Sequence, residues 1–214
     1  MKKYKIALSD ESPFIMRSER DYLACFSAQV EIVTFPIEGV FLMQSLAAKP
    51  VDILITEYSC GSADFPFDGI EKIKSITQKF PALKLIILTS QRNIAILQGI
   101  LKYPVAGVVS KYDEGEELTS ALTHLFAEGK QPYISSGIRR LLTPMEKKAA
   151  KDRLTLAEVE VIRKIAQGHS LSDIAKLRQR SVSTVSTQKY NAMRKLLLQS
   201  TSDLIKYAFS EKLI

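Results

Sequence analysis

The sequence has few of the residues from which metal centres and disulfide frameworks are built. Its 214 residues include only two cysteines, Cys25 and Cys60, and two histidines, His124 and His169, with no Cys-x-x-Cys pair. Thiolate metal sites and disulfide scaffolds need clustered cysteine and histidine, so both classes are disfavoured. A lone cysteine is most often a small buried apolar residue, and we expect that of both cysteines.

Long apolar runs are also missing. No stretch approaches the roughly 20 apolar residues that a membrane span needs, and the segment after Met1 leads into a short apolar run without a small-residue cleavage site. We therefore expect a cytoplasmic protein without a membrane partner. The sequence also lacks a glycine-rich phosphate loop, a cofactor fingerprint and a Ser/His/Asp or Cys/His set, so we do not expect an enzyme.

Charge is present, but it is unevenly distributed. Residues 1–143 hold 16 Lys and Arg against 16 Asp and Glu, whereas residues 144–214 hold 14 against 7 and carry the whole net charge of +7. A compact basic unit at one end of a chain is typical of polyanion binding. The charge alone fits a solubilising surface equally well.

The first 126 residues or so alternate short β-rich apolar runs with segments of helical periodicity, which predicts parallel βαβ units and a doubly wound sheet. Five strands are predicted, at Lys5–Ser9, Val30–Phe35, Asp52–Thr56, Lys84–Thr89 and Ala106–Ser110. Five helices alternate with them, at Pro13–Phe26, Glu38–Ala48, Asp68–Lys79, Asn93–Leu101 and Glu114–Ala127.

Gly129 and Pro132 end this pattern, so we expect residues 128–153 to be a linker, with one short helix at Gly137–Leu142. From Leu154 onward the sequence predicts helices only, and two of them begin with a capping box. The four helices run from Thr155 to about Gly168, from Ser170 to about Leu177, from Ser181 or Ser183 to about Leu198, and over Ser202–Phe209.

The residues at the ends of the predicted strands are polar. Asp10 and Glu11 follow the first strand, Glu57 the third and Lys111 the fifth, and Thr89 ends the fourth. Because ligands of doubly wound sheets bind beyond the carboxyl ends of the strands, we expect these side chains to share one pocket. Carboxylates suit a hard divalent cation, and a hydroxyl with an ammonium group suits phosphoryl oxygens.

Across residues 4–127 this arrangement resembles the receiver domain of two-component response regulators, which has a flavodoxin-like (βα)5 fold. The resemblance implies that Asp10 and Glu11 form an acidic pocket, which binds Mg²⁺ in that family; beyond weak Mg²⁺ binding there, we expect no cofactor. It also implies that Thr89 and Lys111 are the switch positions that read a phosphoryl group. The phospho-acceptor, an aspartate in that family, is Glu57 in this sequence.

Glu57 changes the chemistry expected of this pocket. Glutamate reaches further than aspartate by one carbon–carbon bond, roughly 1.5 Å, and misplacement on this scale can slow a reaction about 100-fold. The loop after Glu57 reads Tyr58-Ser59-Cys60-Gly61 where the family usually has a Met-Pro pair, and Val108 stands where a switch aromatic is usual. We expect a pseudo-receiver that phosphorylation does not switch, and hypothesise that a Glu57–Lys111 pair holds it in an active-like state. The alternative is a relic carboxylate with no role beyond local charge balance.

The last third of the chain resembles the LuxR-type helix-turn-helix, also called the FixJ or NarL type. The matching segments are Leu154-Thr155-Leu156-Ala157-Glu158-Val159-Glu160-Val161-Ile162, Ala166-Gln167-Gly168, Ser172-Asp173-Ile174-Ala175, Ser181 to Lys189, and Lys195-Leu196. The resemblance implies an all-α, tetrahelical DNA-binding domain at residues 154–214. Base and phosphate contacts are implied for Thr184, Ser186, Thr187, Gln188, Lys189, Arg194 and Lys195. Dimerisation is implied for the last helix, through Leu204, Ile205, Ala208 and Phe209.

Helical spacing supports this assignment independently. Val185, Ala192 and Leu196 share one face of the third helix and are expected in the core. Small hydroxylated side chains then lie on the outer face near the helix start, where they permit close approach to the major groove. Base reading by Gln188 would favour adenine and by Lys189 guanine. Each Ser or Thr taken singly could equally be a solvated surface residue.

Two positions depart from the family pattern. Arg178 stands where a core leucine is usual in the second helix, with Leu177 one place early, and Leu197 stands where glycine usually follows Lys-Leu. We expect the turn to be slightly shifted. Packing within its own domain explains part of the apolar face of the last helix as well as dimerisation does.

These features predict a transcription regulator made of a receiver-like domain at 1–127, a linker at 128–153 and a DNA-binding domain at 154–214. We expect it to bind double-stranded DNA at the nucleoid as a homodimer, with RNA polymerase as a further candidate partner. Two alternatives stay open. One is an auxiliary subunit that forms heterodimers with a conventional response regulator, and the other is a receiver that phosphotransfer to Glu57 or a nearby serine still switches.

Overall fold

A computed structural model describes residues 3–59, 68–143 and 153–214. The strands are β1 Tyr4–Ser9, β2 Val30–Thr34, β3 Ile53–Thr56, β4 Lys84–Thr89, β5 Gly107–Ser110 and β6 Tyr133–Ile134. The helices are α1 Pro13–Leu23, which runs into a 3-10 turn at Ala24–Phe26, α2 Gly39–Ala48, α3 Ile70–Lys79, α4 Ile94–Ile100, α5 Glu116–Phe126, α6 Ser136–Leu142, α7 Leu156–Ala166, α8 Leu171–Leu177, α9 Val182–Lys195 and α10 Thr201–Ser210.

The strands form one sheet in the order β2-β1-β3-β4-β5-β6, and every neighbouring pair is parallel. β3 and β5 are buried throughout because helices cover both faces, as the near-continuous apolar runs predict. The register places Thr56 beside Ser9 and Thr89 beside Ser110, so the four central strands end at one edge. The predicted α/β receiver fold is confirmed, and its strand ends meet as expected.

The structure adds a sixth strand at the edge of this sheet. Tyr133 pairs with Gly107 and Ile134 with Val108, and α6 follows with Ile138 fully buried. Both elements fall within residues 128–153, where the sequence indicates a linker with one short helix. A two-residue strand after a proline carries no periodicity of its own, and it forms because β5 offers an unpaired edge. Residues 133–142 therefore pack as part of the receiver unit.

The last four helices form the predicted helical unit. Both capping boxes are present: the Thr155 hydroxyl accepts from the Glu158 N–H at 3.3 Å, and the Ser170 hydroxyl accepts from the Asp173 N–H at 3.1 Å. These reciprocal bonds satisfy backbone donors that the first turn of each helix leaves unpaired. The local cap signals thus set where α7 and α8 begin.

The third helix of this unit, α9, ends at Lys195 rather than near Leu198. Leu197 has φ +55°, the left-handed conformation in which a glycine commonly ends a helix. The Leu198 N–H then donates to the Met193 carbonyl at 2.9 Å and closes the turn. Leu197 is 89% exposed, so its side chain gains little burial in return for this strained backbone.

We expect Leu197→Gly to stabilise the protein by roughly 0.5–1 kcal/mol, since glycine adopts positive φ without the steric penalty of a Cβ atom. Urea denaturation followed by circular dichroism measures the change. The matched control is Leu196→Gly, which removes a partly buried side chain at an ordinary αR position and should destabilise. A Leu197→Gly protein less stable than the wild type would contradict the assignment of strain to this residue.

The fold also tests two further expectations, that the cysteines are buried and that the chain has no membrane-spanning helix. Cys25 is exposed, which corrects the expectation of burial; it lies in the 3-10 turn after α1, where its thiol donates to the Tyr22 carbonyl at 3.1 Å. Cys60 lies outside the described residues. Within those residues, no helix has the length and apolar character needed to cross a membrane.

Candidate functional site

Glu57 lies at the centre of a pocket beyond the carboxyl ends of β1, β3, β4 and β5. One carboxylate oxygen accepts hydrogen bonds from the Thr89 hydroxyl and from the Tyr58 N–H, the latter at 2.6 Å. The other oxygen accepts from the Ser90 N–H at 3.3 Å and pairs with the Lys111 ammonium group at 2.8 Å. Both oxygens of Glu57 are thus engaged by the groups that the receiver resemblance assigns to reading a phosphoryl group.

Lys111 bridges two carboxylates. Its ammonium group lies 2.5 Å from Asp10 and 2.8 Å from Glu57, and the side chain is only 14% exposed. Burial lowers the pKa of Lys111, but the charges and hydrogen bonds of Glu57 and Asp10 outweigh it and raise the pKa above its ordinary value. Lys111 therefore stays charged and serves as the cation of this pocket.

Glu11, the second acid of the predicted pair, does not join the pocket. Its side chain is exposed, whereas Asp10 is 5% exposed and accepts a hydrogen bond from the Ser12 N–H at 2.9 Å. In the described part of the chain, no three His, Cys, Asp or Glu side chains are placed to hold a metal ion. The Lys111 ammonium group lies between the remaining carboxylates, so the residues present do not fit the expected Mg²⁺ in this arrangement.

A further carboxyl group, Glu19 on α1, is buried beside this pocket and is not among the residues that the sequence predicts. It is 4% exposed, and its Oε2 atom has no hydrogen-bond partner among the described residues. Burial raises the pKa of Glu19 from 4.5 to about 8; Asp10 adds to the increase, and Lys111 opposes it. Glu19 is therefore mostly protonated at neutral pH. The sequence does contain one signal for the burial of Glu19, namely its spacing: Glu19 lies one helical turn before Leu23, on the buried face of α1.

The outer face of α9 is open. Four of the predicted DNA-contact residues have exposed side chains, namely Thr184, Ser186, Thr187 and Arg194. The helix begins after Ser181, whose hydroxyl accepts from the Thr184 N–H at 3.1 Å. Val185 and Ala192 are fully buried on the opposite face, and Leu196 packs partly buried against the core, as their spacing predicts. The side chains at the start of α9 are therefore accessible to a large ligand.

The remaining predicted contact residues are half-buried. Lys189 donates to the Thr201 hydroxyl at 2.7 Å, which places its ammonium group between α9 and α10. Lys195 donates to the Glu158 carboxylate at 2.7 Å and to the Arg153 carbonyl at 3.1 Å, so it ties the end of α9 to the start of α7. Gln188 lies half-buried one position before Lys189.

The apolar face of α10 divides into two parts. Leu204 and Ala208 are fully buried in the core of their own domain. Ile205 is half-buried, and Phe209 is 61% exposed. Of the four residues implied in dimerisation, only these last two present apolar surface to another molecule.

Comparison with known proteins identifies the family to which this chain belongs. Residues 152–208 match the model for bacterial regulatory proteins of the luxR family. The chain is 32% identical to the transcriptional regulatory protein RcsB of Salmonella typhi, with 98% of this chain and 96% of that protein aligned.

Two solved structures of RcsB extend the similarity to three dimensions. One, from Salmonella enterica serovar Typhimurium, is bound to promoter P1flhDC in the presence of phosphomimetic BeF3-; it has a TM-score of 0.75 and 30% identity over 98% of this chain and 100% of that one. The other holds two RcsB dimers on two parallel DNAs, with a TM-score of 0.63 and 30% identity over 98% and 99%. The chain therefore belongs to the luxR family of bacterial regulatory proteins and is a response regulator of the RcsB type.

Proposed function

We propose that this protein is a sequence-specific transcription regulator that binds DNA as a homodimer through residues 154–214. Its receiver is held in an active-like state without aspartyl phosphorylation. The observation that carries the DNA-binding part is the open outer face of α9, with its exposed Thr184, Ser186 and Thr187 next to Arg194. Small hydroxylated side chains at a helix start let the backbone approach the major groove, and the basic charge of this end attracts phosphates.

The dimer contact belongs on the exposed part of α10, at Ile205 and Phe209. A solved structure of the relative RcsB contains dimers bound to DNA, and this chain aligns with it over nearly its whole length. A two-fold dimer reads two half-sites about one helical turn apart, so the operator is expected to be an inverted repeat. The alternative, an auxiliary subunit, requires a second response regulator for binding.

DNA binding is tested by letting the purified chain select fragments from a random-sequence pool and then titrating the selected duplex by fluorescence anisotropy at several salt concentrations. The affinity should fall steeply with salt, because phosphate neutralisation releases counterions. Arg194→Ala should lower the slope of log affinity against log salt by about one. Lys102→Ala, an exposed cation on the receiver, is the matched control and should leave the slope unchanged.

Enrichment of an inverted repeat by the chain alone supports the homodimer. Selection that succeeds only with an added response regulator would replace the homodimer by the auxiliary subunit. Binding that does not change with salt would contradict phosphate contact altogether.

The proposal of a set receiver rests on the bonds of Glu57. Its carboxylate already takes the hydroxyl of Thr89, the N–H of Ser90 and the charge of Lys111, which are the groups a phosphoryl oxygen would need. To bind Lys111, a phosphoryl group on Glu57 would have to replace the Glu57 carboxylate at the Lys111 ammonium group. It would also have to displace Asp10, which pairs with the same ammonium group. The groups that would bind a phosphoryl oxygen are therefore already bonded to Glu57 without any phosphotransfer.

Incubation with acetyl phosphate and Mg²⁺, followed by intact-mass spectrometry and a DNA titration, tests this state. We expect no added phosphoryl mass and no change in DNA affinity, because the two switch groups are already occupied by Glu57. Glu57→Asp is the matched variant, because it shortens the side chain and restores the aspartate that accepts the phosphoryl group in the receiver family. A phosphoryl group on the wild-type chain, with a change in affinity, would restore the phosphorylation-switched alternative.

A further inference from the structure

The first helix of the DNA-binding domain carries a fully buried arginine into the receiver. Arg163 on α7 is 0% exposed, and its Nη2 atom lies 2.8 Å from the Asp68 carboxylate and 2.8 Å from the Ser59 hydroxyl. Its Nη1 atom donates to Glu160 at 3.3 Å and its Nε atom to the Leu213 carbonyl at 2.6 Å. One guanidinium group thus joins the receiver, α7 and the end of the chain.

This contact reaches the loop that holds Glu57. Tyr58, the next residue, is 0% exposed; its hydroxyl donates to Glu160 at 2.6 Å, and its ring lies 5.0 Å from the Arg163 guanidinium carbon. Gly69 has φ +61°, and a Cβ atom there would lie 2.1 Å from an Arg163 nitrogen. Only a glycine leaves room for the arginine at this position.

Two further loops of the pocket, those after β4 and β5, also contact the DNA-binding domain. The Gln91 side chain donates to the Lys212 carbonyl at 2.7 Å, and the Gln91 N–H donates to the Thr89 hydroxyl at 3.1 Å. The Lys212 ammonium group donates to the hydroxyl of Tyr112, the residue after Lys111, at 2.8 Å. The loops that supply Glu57, Thr89 and Lys111 therefore each have a contact with the same domain.

The docked domain presents its DNA-reading helix to solvent. α7 packs on α4 of the receiver, while Thr184, Ser186 and Thr187 on α9 stay exposed. The receiver therefore covers the α7 side of the helix-turn-helix and leaves the side of α9 that the proposed function uses.

We infer that the receiver face around the carboxylate pocket is the docking surface of the DNA-binding domain, and that this protein binds DNA in the docked state. Arg163 is the positioning residue of this arrangement, and the bonds of Glu57 are coupled to it through Tyr58. The docking part stands on interdomain contacts alone; the DNA part rests on the proposed function.

A disulfide across the interface tests the inference. A Cβ atom on Gly99 of α4 would lie 3.3 Å from Cγ of Leu156 on α7, close to the about 3 Å between Cβ and the far sulfur of a disulfide. Gly99→Cys with Leu156→Cys, in full-length protein carrying Cys25→Ser and Cys60→Ser, should therefore cross-link in the docked state. DNA fragments selected by the wild-type protein serve as the probe.

The first measurement needs no DNA. The effective concentration of the thiol pair, measured against glutathione, should fall about tenfold or more with Asp68→Asn, because the buried Arg163 loses the carboxylate that pairs with it across the interface. It should also fall with Glu57→Ala, which a purely structural role of Asp68 would not predict. The exposed Glu116→Gln on α5 is the control and should leave it unchanged. Equal values in all variants, or no cross-link in any, would overturn the docking inference.

The second measurement compares DNA affinity in the oxidised and reduced forms. We expect the two dissociation constants to agree within about threefold, since α9 faces away from the cross-link. Loss of binding on oxidation, with recovery on reduction, would overturn the inference that the docked state binds DNA. Binding absent from both forms would count against the proposed function, and the glutathione measurement would still decide on docking.

Discussion

Replacing Arg163 by methionine is expected to lower the free energy of unfolding by about 3–5 kcal/mol, because it removes the cation from a fully buried ionic cluster. Methionine keeps much of the volume of the side chain, so the effect comes from charge more than from a cavity. Asp68, 0% exposed, and Glu160, 3% exposed, would then lose the guanidinium group with which both form ion pairs. Urea denaturation monitored by circular dichroism at neutral pH measures the change.

Two further variants separate charge from packing in this prediction. Arg178→Met is the matched control, since Arg178 also donates to a backbone carbonyl, that of Ala157 at 3.1 Å, but is only half-buried; it should cost less than about 1 kcal/mol. The double variant Arg163→Met with Asp68→Asn should lose less than the sum of the single losses, because both changes break the same Arg163–Asp68 ion pair. A loss below about 1 kcal/mol for Arg163→Met would mean that the guanidinium group is not held as described.

The same guanidinium group has its pKa held above the ordinary arginine value. Burial lowers the pKa, but the negative charges of Glu160 and Asp68 outweigh that effect. Burial and the Glu160 charge likewise raise the pKa of the Tyr58 hydroxyl, so it remains a hydrogen-bond donor to Glu160. Arg163 therefore stays charged and Tyr58 stays protonated across the physiological range, which suits a positioning role better than a pH-sensitive one.

Much of this molecule follows from local signals in the sequence. The apolar runs place β4 at Lys84–Thr89 as observed, and the capping boxes at Thr155 and Ser170 begin α7 and α8. The pocket could be predicted as well, because parallel strands end at one edge and Glu57 and Lys111 follow two of them. Hydrophobic periodicity, helix caps and strand ends each depend on a few neighbouring residues, so they can be predicted from the sequence before the fold is known.

Features that depend on distant partners could not be predicted in this way. The Arg163 contacts join residues about a hundred positions apart, and nothing near Arg163 distinguishes it from a surface arginine of an amphipathic helix. β6 exists only as the partner of β5, and of the two neighbouring acids only Asp10 is buried, where it pairs with Lys111, while Glu11 is exposed. In each case the deciding interaction is tertiary.

Glu19→Gln is expected to raise the free energy of unfolding by about 3–5 kcal/mol at pH 8.5 and to change it little at pH 5. The carboxyl group of Glu19 keeps its proton up to about pH 8 in the folded protein, because burial first and the Asp10 charge second oppose ionisation, while the unfolded chain releases it near pH 4.5. Between those values the unfolded state binds fewer protons, so the wild-type protein loses stability as the pH rises. Glutamine is neutral throughout and does not have this loss.

Urea denaturation of both proteins at half-unit steps from pH 5 to pH 8.5 measures the difference, which should grow steadily with pH and level off above pH 8. Glu117→Gln is the control with the opposite sign. Burial raises the pKa of Glu117, but hydrogen bonds from Tyr133 and Ser136 outweigh it and hold the pKa below its ordinary value. The ionised Glu117 therefore stabilises the fold above pH 4.5, and its replacement should destabilise. If the Glu19→Gln difference were the same at pH 5 and pH 8.5, Glu19 would not be protonated in the folded protein, and the pocket would hold three carboxylates around Lys111.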